Sequence, residues 1–76
     1  MEPVDHLTAA VATTIAAHPD QVARWQSAVP GAWGFLAGRG VLAYRDRLGR
    51  TLTEPERRQL WETLWAALEK RRASSG

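Results

Sequence analysis

The sequence predicts an all-α protein, a small bundle of about four helices. Three observations predict it: apolar residues recur at helical spacing along most of the chain, helix-starting and helix-stopping residues punctuate that pattern, and no run alternates in the manner of a strand. The 76 residues make one domain. A core of that size leaves only about 3–5 kcal/mol over conformational entropy. The expected organisation is a lead at residues 1–5, one helical domain at 6–72 and a disordered tail at 73–76.

The first helix is expected at 6–17. Leu7, Ala10, Val11, Thr14 and Ile15 form one stripe, and Asp5 stands where an N-cap belongs. His18-Pro19 ends that helix, because the residue before a proline avoids the α region, and Pro19 suits the first turn of the next. Val22, Trp25 and Val29 carry the period onward, so a second helix is expected at 19–28. After Pro30-Gly31 a longer pattern predicts a helix over 32–48, apolar around most of its girth and therefore central, with Gly49 as its stop. The last helix is expected at 54–71. Thr53 and Glu56 have the spacing of a capping box, and Pro55 falls where its missing N–H is harmless. Leu60, Trp61, Leu64, Trp65 and Leu68 form the stripe, and Lys70, Arg71 and Arg72 put positive charge at the C-terminal end. Ile15, Trp25, Phe35, Leu36, Leu60, Leu64 and Trp65 are the expected core.

Composition narrows the function classes. The chain has no cysteine, hence no disulfide or thiolate metal site, and this fits a cytoplasmic protein. No stretch approaches the roughly 20 apolar residues of a membrane span, and the acidic start at Glu2 and Asp5 lacks the build of a secretion signal. The net charge is +2, but nine of the ten basic residues lie beyond residue 38 with five of the eight acidic ones. A basic second half favours an anionic partner, nucleic acid first among them.

Catalytic chemistry is hard to find. His6 and His18 are the only histidines, no metal-ligand spacing occurs, and Ser27 has no histidine at helical spacing to act as its base. His18 reads as a helix-junction residue, and Glu54 and Glu56 as capping residues. The expectation is a protein that is not an enzyme, with no cofactor and no metal. Of the four tryptophans, Trp25, Trp61 and Trp65 lie on apolar stripes and are expected inside rather than stacked on bases; Trp33, just after the Pro-Gly break, is left open.

One stretch resists a purely structural explanation. Gly31, Gly34 and Gly38 fall at i, i+3 and i+7, and each glycine inside a helix costs about 1 kcal/mol relative to alanine. Either a neighbouring helix or a ligand must approach there. A helix is expected over Gly34 and RNA over Gly38, where nearby arginines can share phosphates. Arg39 and Arg47 lie about 80° apart around an ideal helix.

This region resembles the GatB/YqeY family, whose members include the C-terminal helical tail of the B subunit of tRNA-dependent Asp/Glu amidotransferases. Pro19, Gln21, Val22, Trp25, Ala32, Gly34, Phe35, Leu36 and Gly38 fall in step with the family pattern without a gap, and Pro55 matches a proline near the start of its last helix. The likeness runs from about Leu7 to Leu68. His18 stands where the family has asparagine and Ala37 where it has valine, and the family's lysines around the glycine run are absent. Arg39, Arg45, Arg47 and Arg50 carry the basic character instead.

In that family the tail holds the tRNA body while a separate catalytic domain does the chemistry, so the label of carbon–nitrogen ligase with glutamine as amide donor describes that other domain. The resemblance implies a free-standing tRNA-binding accessory module for translation, holding or delivering tRNA for an aminoacyl-tRNA synthetase or an amidotransferase subunit. Gly38, Arg39, Arg45, Arg47 and Arg50 are the candidate RNA contacts. The alternative is a protein-interaction module that docks an enzyme subunit through apolar surface beside Trp33.

Overall fold

The structure, a computed structural model, describes residues 5–75. Four α-helices follow one another: α1 (His6–Ala17), α2 (Pro19–Gln26), α3 (Ala32–Leu48) and α4 (Glu54–Ser75). Each begins or ends for a local reason. Asp5 caps α1, its Oδ1 accepting from the backbone N–H of Leu7 and Thr8 at 3.1 and 3.2 Å, while Thr8 Oγ1 donates to Oδ2 at 2.6 Å. Those bonds, the Thr8 hydroxyl first, hold the Asp5 carboxyl below its ordinary range. The expected lead otherwise lies outside the described residues.

The second helix is two residues shorter than expected, and the bonds at its end give the cause. Ala28 adopts a left-handed conformation with φ +58°. Its N–H then donates to the Trp25 carbonyl at 3.0 Å, and the N–H of Val29 to that of Arg24 at 2.9 Å. This is the Schellman pattern, with alanine where glycine is usual, and Pro30 follows it. Gly31 takes φ +89° at the N-cap of α3, and Gly49 takes φ +73° at its C-cap, donating to the Arg45 carbonyl at 2.8 Å. Both glycines are fixed by backbone conformation.

The capping box forms as expected. The Thr53 N–H donates to Glu56 Oε1 at 2.9 Å, and the Glu56 N–H to Thr53 Oγ1 at 3.3 Å. Helix α4 continues through Ser75, past the expected end at residue 71. Ala73 is the best of helix formers and no breaker precedes Gly76, so nothing stops the helix where a disordered tail was expected.

Helix α3 packs against all three others and is central. Leu36, Leu60, Leu64 and Leu68 are fully buried, joined by Ala10, Val11, Ile15, Val22, Trp25, Tyr44 and Leu52. The buried Thr14 hydroxyl satisfies itself on the Ala10 carbonyl at 2.8 Å. Two expected core residues lie elsewhere: Phe35 is only half-buried, and Trp65 is 45% exposed. Trp61, also expected inside, is 37% exposed. The α4 stripe is wider than its neighbours cover, and only its leucine line is fully enclosed. Among the described residues no helix is long and apolar enough to cross a membrane.

Candidate nucleic-acid interface

The outer flank of α3 gathers the glycines and part of the arginine set. On an ideal helix Gly34, Gly38, Leu42 and Arg45 fall within about 80° of one another, with Arg39 about 100° round from Gly38. All five are exposed. A methyl group built on Gly34 or Gly38 meets nothing within 4 Å. The expectation that a neighbouring helix fills the groove at Gly34 is therefore corrected, because among the described residues nothing comes within 4 Å of a Cβ there. The glycine that faces another helix is Gly40, where a Cβ would stand 3.5 Å from the Leu60 and Leu64 methyls, an ordinary contact. Packing inside the chain thus requires glycine at none of the three positions.

The arginines divide into groups. Arg39 sits beside Gly38 with its guanidinium carbon 5.2 Å from the centre of the Phe35 ring, a cation–π contact within one turn that leaves the donors on its rim accessible. Arg45 and Arg47 are exposed in the last turn of α3, where cations complement the helix dipole, and find no partner among the described residues. Arg45 shares the glycine face, whereas Arg47 projects from the opposite side of the helix, about 180° from Gly38.

Arg50 has a different environment. Its two terminal nitrogens meet Glu56 Oε1 and Oε2 at 2.8 and 2.7 Å, a bidentate pair that ties the α3–α4 loop to the capping box. The guanidinium also bonds the Thr51 carbonyl at 3.2 Å. Arg50 and the N–H of Thr53 hold the Glu56 carboxyl down to about 2. Arg45 therefore shares the glycine face, Arg39 stands on its shoulder about 100° round from Gly38, Arg47 points away from it, and Arg50 is tied into the α3–α4 loop.

The aromatic residues make a second surface that periodicity had hidden. Trp65 meets Trp25 and Trp33 edge-to-face, with ring centres 5.1 Å apart in each pair. Arg72 lies over Trp25 at 4.5 Å. Val29, 42% exposed, is beside them. The sequence signalled this surface in part, through Trp33 after the Pro-Gly break and the apolar surface expected beside it, while the exposure of Trp61 and Trp65 was not expected. His18, by contrast, is occupied with packing, its ring edge-to-face with Phe35 at 5.0 Å. Among the described residues no group of three or more His, Asp or Glu side chains is placed to hold a metal.

Fold and surface together define a small helical bundle with a basic, glycine-lined flank and a separate aromatic pocket. Compared with known proteins, the chain matches no family model, no curated protein and no solved structure.

Proposed function

We propose that this chain is a tRNA-binding accessory module related to the GatB/YqeY tail, acting in the cytoplasm to hold or deliver tRNA for a synthetase or amidotransferase without catalysing a reaction itself. The observation that carries this is the open glycine face of α3. Gly34 and Gly38 each cost the helix about 1 kcal/mol, and among the described residues nothing fills the space they leave. An approaching sugar-phosphate backbone offsets that cost, with Arg39 and Arg45 supplying phosphate contacts on either side of Gly38. The ungapped match to the family pattern supports tRNA as the particular anion.

The test is binding of folded tRNA against single-stranded RNA of equal length across a salt series. The parent binds tRNA more tightly, and Arg39→Gln with Arg45→Gln flattens the log–log salt slope by roughly 0.7–0.9 for each phosphate no longer neutralised. Absence of tRNA binding at low salt overturns the proposal. Docking of an enzyme subunit then takes its place, a function favoured by one observation, the exposed apolar surface of Val29 and Trp65 beside Trp33.

A further inference from the structure

Trp33 lies about 140° round α3 from Gly38, and none of Gly34, Gly38, Arg39 or Arg45 lines the aromatic pocket, so the pocket is a separate surface. Trp25, Trp33 and Trp65 wall a pocket of about 300 Å³, with Val29 and Pro30 on its rim and Arg72 at its edge. The interplanar angles at Trp65 are 90° and 81°, so neither neighbouring indole stacks parallel on it, and the ring stays 45% exposed. Arg72 lies 4.5 Å over the Trp25 ring, and its polar contacts are long. It reaches the Trp25 and Gln26 carbonyls at 3.4 Å and Glu69 at 3.8 Å.

We propose that this pocket takes an unpaired nucleotide of an RNA strand, its base against Trp65 and its phosphate on Arg72. The kind of ligand rests on the RNA-binding function above; the new element is a base-contacting subsite on a different face from the phosphate-contacting one. The pattern along α4 supports a strand rather than a lone nucleotide. Arg58, Trp61, Trp65 and Arg72 fall at i, i+3, i+7 and i+14, one line about 21 Å long with a cation at each end and two exposed indoles between. Bases stack on such indoles whatever their identity, and the flanking guanidinium groups meet the phosphates.

Area argues against a second copy of the chain as occupant. A tryptophan offers about 150–250 Å² when fully covered. The exposed fractions of Trp61, Trp65 and Val29 therefore amount to roughly 200–300 Å², against roughly 450 Å² of apolar area within about 800 Å² per partner in a stable interface. A proline-rich peptide would use the indoles but leave Arg72 without a role. Glu62 and Glu69 offset the two arginines of the line, so stacking rather than charge dominates at this subsite.

The probe is hexauridylate RNA, followed by quenching of tryptophan fluorescence at low salt. The parent binds and is quenched. Trp65→Leu weakens binding about five-fold or more without changing the salt slope, and Trp65→Phe restores most of it. Arg72→Gln flattens the slope by about 0.7. If circular dichroism shows Trp65→Leu unfolded, Arg72→Gln decides, since that side chain is 45% exposed and outside the core. Replacing Arg39 and Arg45 with glutamine weakens tRNA binding more than hexamer binding, whereas Trp65→Leu weakens the hexamer at least as much. A folded Trp65→Leu that binds the hexamer like the parent overturns the inference, as does a parent that binds decaproline and not the hexamer. Hexamer binding absent while tRNA binding persists overturns this subsite alone; absence of both overturns the proposed function with it.

Discussion

At the scale of single residues, two positions bear more on stability than their exposure suggests. Ala28 adopts φ +58°, a conformation that costs an L-residue about 1–2 kcal/mol and a glycine almost nothing. Ala28→Gly should therefore stabilise the protein by about 1 kcal/mol, and thermal unfolding followed by circular dichroism should show a midpoint about 4–8 °C higher. A lower midpoint would contradict the Schellman assignment. Glu56 bears on pH dependence. Its carboxyl is held down to about 2 from an ordinary 4.5 by the Arg50 pair and the capping bonds, so the unfolded chain takes up a proton where the folded one does not. The stability it contributes is complete above about pH 4.5 and disappears as pH falls towards 2. Glu56→Gln keeps an acceptor for the Thr53 N–H but removes the charge. Denaturant midpoints measured between pH 2 and 6 should fall less steeply on acidification than those of the parent.

At the scale of elements, the glycines of α3 and the tryptophans of α4 separate what the sequence could say from what it could not. Gly34→Ala should raise stability by about 1 kcal/mol, since its methyl enters open space and the helix gains propensity. A lower stability in urea unfolding would mean that a neighbour does approach there. Helix starts and stops were legible because their causes are local: Asp5, the Thr53–Glu56 box, Pro19 and Gly49 act within a few residues of the chain. The end of α2 was not, because a left-handed alanine has no signature in sequence. The spacing of the glycines was legible too, but spacing cannot say which side of a helix its neighbours occupy. The same gap explains Trp61 and Trp65. Periodicity gave a five-residue apolar stripe on α4, and only the partners' positions reveal that Leu60, Leu64 and Leu68 use up the covered part. Among the candidate contacts, Arg50 looked no different from Arg39 because its pairing with Glu56 crosses a loop.

At the scale of the whole molecule, four helices enclose one small core, centred on Leu36, Leu60, Leu64 and Leu68. A core with about 3–5 kcal/mol to spare cannot carry about 2 kcal/mol of needless helix glycine without that cost being significant. The central claim is that the open flank of α3 exists for a partner outside the chain. Gly38→Ala tests it most directly, because one preparation yields both unfolding stability and tRNA affinity. The variant should be as stable as the parent or about 1 kcal/mol more so, since nothing lies within 4 Å of the added methyl. It should also bind tRNA more weakly at every salt concentration with an unchanged salt slope, because the geometry of approach rather than charge has been altered. A variant that is destabilised yet binds tRNA normally would contradict the claim.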